Sequence, residues 1–363
     1  MNPFKFGTVV DEPFFINRNE ELAKIESFLN SENHLVIISP RRYGKTSLIR
    51  KALNKSGLRI LYLDMQLILS PEDFAGQLLK RIYRISPVNK LKGLVKSFRI
   101  IPSVTVNPVS GETDVTFRPE HDATVPLEDV LNLIDKLGTE TRKIVVALDE
   151  FQEIFRISPG LDRKLRSIMQ HHSNVNYLFS GSSESMIREV FENKKSPFYH
   201  FAFLMPLGII PENEFLQFLE SGFTEITDQS RPLSYEILEE TSCHPYYTQQ
   251  LAFIVWEEIK RSGYSSGIIA KAIGEILQNH DNDYERLWNG FNRTDMKILY
   301  GMTASDLEPL SMEFSKRFNA GPDSTVYSSL QRLIKKGIIV KYERSYLIDD
   351  PFFRKWIILR REI

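Results

Sequence analysis

Short apolar runs alternate with amphipathic stretches over the first half of the chain. His34 to Ser39 reads as a buried strand, and Thr46 to Asn54 carries helical spacing. Arg59 to Asp64 is a second strand, followed by a helix from Pro71 to Tyr83 with proline suited to its first turn. Strand, helix, strand at this spacing predicts βαβ units and a parallel sheet. The pattern resumes with helix Leu127 to Leu137, strand Lys143 to Asp149, helix Leu161 to His171, strand Asn176 to Ser180 and a last strand near Phe201 to Met205. Residues 86–126 interrupt it. A basic segment (Lys90, Lys92, Lys96, Arg99) precedes two alternating runs, Ser103 to Val106 and Asp114 to Phe117, joined by a turn-rich loop. This predicts an inserted β-hairpin.

From Pro211 the period becomes helical: Glu212 to Glu220, Ser234 to Thr241, Pro245 to Arg261 and Ile268 to Leu287. A helix from Thr294, a second short helical stretch and a helix Ser324 to Lys336 closed by Gly337 come next. Ile338 to Tyr342 and Tyr346 to Ile348 then form a hairpin, so the end of the chain reads as a winged helix. The expected class is α/β, a phosphate-loop parallel sheet with an inserted hairpin, a helical lid and a C-terminal winged helix. The expected domains are 1–210, 211–290 and 291–363.

Composition narrows the function. The 363 residues hold 46 Lys+Arg against 47 Asp+Glu, and 42% are hydrophobic. Global disorder and a generally basic nucleic-acid coat are excluded. A single cysteine, Cys243, excludes an intrachain disulfide framework and makes a cysteine zinc site a poor reading. His171-His172 lacks metal-ligand spacing, and Gly181 to Ser185 is no nucleophile elbow because its last position is serine. Trp256, Trp288 and Trp356 fall among apolar neighbours and read as core. The longest apolar run, Phe201 to Ile210, is about half a membrane span and contains Pro206. The N-terminus has no apolar signal region, so the expectation is a cytoplasmic protein without a membrane partner.

The chemistry concentrates at Ser39-Pro40-Arg41-Arg42-Tyr43-Gly44-Lys45-Thr46-Ser47. This matches a phosphate loop with serine at the usual first glycine. In such a loop, backbone N–H groups and a helix N-terminus surround a polyphosphate. Gly44 lets the backbone approach, Lys45 bridges the β- and γ-phosphates, and the Thr46 hydroxyl ligates Mg²⁺. Ile144 to Asp149-Glu150 is a buried strand ending in two carboxylates. Asp149 is suited to hold Mg²⁺ through water, and Glu150 to polarise the attacking water. The next strand ends in Ser180-Gly181-Ser182-Ser183. Ser180 or Ser182 would face the γ-phosphate, and an N-cap on helix Glu184 to Phe191 is an equal alternative.

These motifs occur together with Asn17-Arg18-Asn19-Glu20-Glu21-Leu22, Cys243-His244-Pro245-Tyr246-Tyr247 and Asp350-Pro-Phe-Phe-Arg-Lys-Trp356. In this order they resemble the archaeal-type ATPases, AAA+-related proteins near the STAND and origin-initiator branches. The resemblance implies ATP and Mg²⁺ as ligands. It implies that Phe15, Ile16 and Arg18 line the adenine pocket, with Pro245 against the base and His244 near the phosphates; a helix N-terminal role for His244 stays open. Arg156, Arg163, Arg166 and Arg188 are the candidates for a trans-acting arginine finger, with surface solvation the blander reading of each.

Residues 293–363 hold 13 Lys+Arg and 9 Asp+Glu, with Lys335, Lys336, Lys341 and Arg344 at the helix end and wing. Two readings stay open. One is a nucleotide-controlled switch, a slow Mg²⁺-dependent ATPase whose winged helix reports the nucleotide state, with an unidentified protein partner. The other is an ATP-regulated initiator or regulator that binds duplex DNA through Ser324 to Lys336. An interaction module with a non-hydrolysing loop is a third class.

Overall fold

The computed structural model describes residues 1–16, 18–86, 102–106, 113–117, 125–342 and 345–361. The basic segment at 90–99, the loop between the hairpin strands, Asn17 and Arg344 lie outside the described residues. The chain divides into two compact units. A sheet unit comprises residues 19–39 and 48–207; a helical unit comprises 1–18, 40–47 and 208–363.

The sheet unit contains α1 (Asn19–Leu29), β1 (Leu35–Ile38), most of α2 (Lys45–Ser56), β2 (Arg59–Asp64), α3 (Pro71–Ile85), β3 (Pro102–Val106), β4 (Thr113–Phe117), α4 (Val125–Leu137), β5 (Ile144–Asp149), α5 (Leu161–Met169), β6 (Val175–Gly181), α6 (Glu184–Glu192) and β7 (Phe203–Pro206). Five strands form one parallel sheet in the order β2-β5-β6-β1-β7. β3 and β4 form the antiparallel inserted hairpin. The continuous apolar runs are explained by burial on both faces: every residue of β1, β5 and β6 is buried. Val36, Leu61, Val146 and Phe179 pack with Phe74, Leu78, Leu131 and Leu165 in one core. α3 starts where the sequence dictates, because Ser70 accepts from the Asp73 backbone N–H and Pro71 fills the first turn. Buried Asn176 of β6 donates to the carbonyls of Phe28, Ser31 and Asn33, tying the end of α1 to the sheet.

The register brings strand ends together. Asp64 pairs with Asp149, Leu148 with Phe179, and Ile38 with Gly181. The carboxyl ends of β2, β5, β6 and β1 therefore share one edge, where open parallel sheets bind ligands.

The helical unit contains α7 (Glu212–Thr224), α8 (Ser230–Thr241), α9 (Pro245–Ser262), α10 (Ile268–Asn289), α11 (Arg293–Ala304), α12 (Met312–Phe318), α13 (Asp323–Lys335), β8 (Ile339–Tyr342), β9 (Ser345–Ile348) and α14 (Pro351–Arg360). α11 to α13 with the β8–β9 hairpin make the winged helix, and Gly337 takes φ 70° after α13. One apolar core runs through the unit, from Phe215 and Leu251 to Leu330 and Phe353, and includes all three tryptophans. α14 is not legible in periodicity alone. It is set by Asp350, which accepts from the N–H groups of Phe352 and Phe353, and by Pro351. No helix among the described residues is long and apolar enough to cross a membrane.

Candidate nucleotide site

β1 ends at the sheet's ligand edge and runs into the phosphate loop. Ser39 is buried and is not among the positions with positive φ, so serine at the first loop position carries no left-handed strain. The left-handed positions are Arg42 (φ 69°) and Gly44 (φ 83°). Gly44 is needed for its backbone angle rather than for space, since a Cβ there would meet nothing within 4 Å. Lys45 is buried and Thr46 half-buried at the start of α2. The first turn of α2 carries no acidic residue, so its positive end is not neutralised by its own side chains. Pro40 is half-buried, and Arg41 and Gly44 are exposed.

Within the helical unit the loop is braced on several sides. Arg18, itself left-handed (φ 67°) and only 2% exposed, donates through Nη2 to the carbonyls of Tyr43 (3.1 Å) and Gly208 (2.9 Å). Ser47 Oγ accepts from the Val10 N–H at 2.9 Å. Arg42 Nη1 donates to the Tyr247 hydroxyl at 2.8 Å, and its guanidinium lies 4.7 Å from the Tyr246 ring centre. The Tyr43 hydroxyl donates to Asp349 Oδ1 at 2.9 Å. Ile16 and Pro245 are buried and Phe15 is half-buried. His244 is the N-cap of α9: its Nδ1 accepts from the N–H groups of Tyr246 and Tyr247. Burial, then the charge of Arg42, lowers its pKa to about 3, so the ring is neutral.

The carboxylate pair belongs to the sheet unit. Asp149 Oδ1 accepts from Ser180 Oγ at 2.5 Å and from the Glu150 N–H at 3.0 Å; Oδ2 accepts from the Tyr62 hydroxyl at 2.7 Å. Glu150 follows in a left-handed conformation (φ 52°, ψ 45°), a strained turn typical of functional positions. Its Oε2 accepts from Gln152 Nε2 (2.5 Å), the Ser182 N–H (3.1 Å) and Ser182 Oγ (2.8 Å). Both serines are thus engaged with the carboxylate pair. The N-cap of α6 is Ser183, which makes no side-chain capping bond. Gly181 is required by close packing: a Cβ there would fall 2.3 Å from Gln152 Oε1 and 2.4 Å from the Ile187 side chain.

Four participants escaped sequence reasoning. Tyr62 and Gln152 orient the carboxylates, and Asp349 and Tyr247 receive the loop side chains. Gln152 was within reach, lying two residues after Glu150 in the same motif. Tyr247 stood inside the quoted Cys243 to Tyr247 motif without a role; Tyr62 and Asp349 carry no local signal. Among the arginine-finger candidates, Arg156 pairs with Glu153, Arg188 pairs with Glu184 and Glu192, and Arg166 lies 4.4 Å from the Phe201 ring centre; Arg163 is exposed. His172 is bonded to the Tyr177 hydroxyl and Asn132. No cluster of three or more His, Cys, Asp or Glu suited to a metal occurs among the described residues.

The helical unit holds a lysine and a hydroxyl at a helix start, and the sheet unit a buried, hydrogen-bonded carboxylate at a strand end; each is a group that a magnesium-bound polyphosphate uses. The wider comparison agrees. A family model described as an ATPase domain predominantly from Archaea matches residues 15–251, and one described as "Probable winged helix domain" matches 282–359. No curated protein sequence matches the chain. Among solved structures, the Walker-type ATPase PABY2304 of Pyrococcus abyssi is similar at TM-score 0.69 and 19% identity, covering 98% of this chain and 99% of that one. The Aeropyrum pernix ORC2 protein, solved as ADPNP–ADP complexes, is similar at TM-score 0.55 and 15% identity, covering 99% of each chain. These likenesses show the fold. The chain belongs to the family of ATPase domains found predominantly in Archaea, a nucleotide-binding phosphate-loop fold that here carries a C-terminal winged helix.

Proposed function

We propose that this protein binds ATP with Mg²⁺, hydrolyses it slowly, and works as a nucleotide-controlled conformational switch. The observation that carries the switch is the bonding of two phosphate-loop side chains to C-terminal elements: Arg42 to Tyr247 and Tyr43 to Asp349. A loop that closes on phosphates must alter those bonds, so occupancy is felt at α9 and at the winged helix.

In this reading the backbone from Ser39 to Ser47 cradles the phosphates, and Lys45 neutralises the β- and γ-phosphates. Thr46 and Asp149 would hold the metal, which when bound supplies charge neutralisation. Glu150 accepts the proton of the attacking water, and Ser182 and Gln152 hold its carboxylate in place until then. Ser180 fixes Asp149. Phe15, Ile16, Arg18 and Pro245 form the adenine side, and His244 stands at the phosphate side. Residues 1–210, 211–290 and 291–363 would act as nucleotide domain, lid and winged helix. The test is calorimetry with Mg²⁺-ATP on the wild type beside Lys45→Ala, with turnover of Glu150→Gln. Tight binding lost in Lys45→Ala, and binding without turnover in Glu150→Gln, are expected. Equal turnover in Glu150→Gln would remove it as the base.

A second reading, duplex DNA binding, is favoured by the outer face of α13. Ser324, Thr325, Tyr327, Ser328, Gln331 and Lys335 are exposed there, a hydrogen-bonding surface suited to a groove. Arg332 is spent on Asp295. A duplex gel shift that weakens steeply with salt and with Lys335→Ala is its expected result. Absence of a shift at low salt dismisses it.

A further inference from the structure

Asp349 and Asp350 are adjacent but differently used. Asp350 caps α14 through Oδ1 and accepts from Tyr284 of α10 through Oδ2, and the Tyr247 hydroxyl of α9 bonds it as well. The Asp349 carboxyl is also largely buried, with 13% side-chain exposure, and accepts from Tyr43, 306 residues away in the phosphate loop. Burying an acid is costly unless it is paired. The pairing here is to the nucleotide site.

A second donor stands at the same oxygen. Because His244 Nδ1 accepts backbone N–H groups, the neutral ring carries its proton on Nε2. That nitrogen has no hydrogen-bond partner among the described residues, although the ring is only 3% exposed. It lies 3.8 Å from Asp349 Oδ1, just beyond hydrogen-bond reach. The Tyr43 ring stands edge-on to it at 4.8 Å. A cavity of about 490 Å³, lined in part by Tyr43, Ser242, His244, Leu347 and Asp349, leaves room for the tyrosine to move. One acceptor thus faces two donors, one bonded and one waiting.

We propose that Asp349 is a positioning residue for the phosphate loop, its Oδ1 passing from the Tyr43 hydroxyl to His244 Nε2–H when the loop closes on a nucleotide. The exchange keeps the buried carboxyl paired in both states, so neither state bears the cost of an unpaired buried acid. It also gives the winged helix a different partner in each state. The inference rests on the nucleotide-binding reading above.

The test is a double-mutant cycle on Mg²⁺-ATP affinity by calorimetry with the full chain. Tyr43→Phe removes the bond that closure must break, so it binds about 3- to 10-fold tighter than wild type. His244→Asn keeps an oxygen for the cap but loses the waiting donor, and binds more weakly by a similar factor. In an Asp349→Ala background both effects vanish, which packing roles of the two rings would not produce. If Asp349→Ala does not fold, Asp349→Asn serves, and the gain from Tyr43→Phe shrinks there toward unity because the acceptor has lost its charge. Effects that persist undiminished without the Asp349 carboxylate, or a Tyr43→Phe affinity within twofold of wild type, overturn the exchange alone. A wild type that binds no Mg²⁺-ATP overturns the exchange together with the nucleotide-binding reading.

Discussion

Ser180 and Ser182 stand one residue apart at the end of β6, yet their loss should register in different measurements. Ser180 is 2% exposed and donates at 2.5 Å to an Asp149 carboxylate that is 5% exposed. Ser180→Ala removes one donor from that oxygen, which keeps the Glu150 N–H. A hydrogen bond to a buried charged group is worth about 1.5–3 kcal/mol, and an alanine fills most of the serine volume. The expected cost is therefore about 2 kcal/mol, read as a lower urea midpoint at unchanged slope. Ser182 Oγ is only half-buried, and the Glu150 oxygen it serves keeps the Gln152 and Ser182 N–H donors. Ser182→Ala should cost under about 1 kcal/mol. Function should sort the other way. Loosening Asp149 weakens Mg²⁺-dependent ATP binding, whereas loosening Glu150 lowers turnover about tenfold, within the usual range for a disturbed general base, at nearly unchanged affinity. The decisive pair is urea unfolding beside single-turnover hydrolysis. Equal stability losses, or a Ser180→Ala cost under about 0.5 kcal/mol, would refute the claim that Asp149 depends on Ser180.

Two further predictions concern buried cations-in-waiting and braces. His34 accepts from the Tyr177 N–H and packs against Phe201; burial, then Lys143 and Arg166, lowers its pKa from 6.5 to about 4. The folded state keeps it neutral, so its stabilisation is complete above pH 6.5 and is lost as pH falls toward 4; between pH 7.5 and 5.0 the loss is about 2 kcal/mol. Urea midpoints of wild type and His34→Gln at the two pH values should converge at the lower one; parallel pH dependences would reject the titration. Arg18→Met keeps the buried stem but removes the nitrogen that donates to both carbonyls, and should cost about 2 kcal/mol in thermal or urea unfolding while weakening nucleotide binding. A neutral substitution there would show that the brace is dispensable.

Much of this molecule was legible because its signals are local. The apolar runs of β1, β5 and β6 are buried on both faces, so they could only be central parallel strands, and the loop and carboxylate pair follow from what terminates them. The hairpin at β3–β4 and the winged helix announced themselves by a change of period. What stayed hidden is long-range. Tyr62 meets Asp149 only because the register sets β2 beside β5. Tyr43 in a phosphate loop looks like spacing, since such loops are read through their backbone. Its hydroxyl acquires meaning from Asp349, which ends the wing hairpin near the far end of the chain. The terminal Asp-Pro motif drew attention to Asp350, the helix cap, one residue past the group that faces the loop.

The backbone itself marks the same places. Among described residues, non-glycine positive φ occurs at Arg18, Arg42, Glu150, His200, Ser242, Cys243 and Asn319. Four of these seven fall inside the motifs singled out above, and Ser242 adjoins one. A left-handed residue with a side chain costs about 1–2 kcal/mol, so a chain that tolerates several at one site is holding geometry rather than optimising stability. Ser242 makes this testable without touching the chemistry. It is exposed, ends α8 at φ 50°, and shares with Cys243 the turn that aims His244. Ser242→Gly relieves the strain and should raise stability by up to about 1 kcal/mol, less the entropy that glycine adds to the unfolded chain. If the strain serves only to place His244, ATP affinity stays within twofold, because glycine adopts the same angles. A Ser242→Gly variant that is less stable than wild type would mean the turn is held by its side chain and not by its backbone.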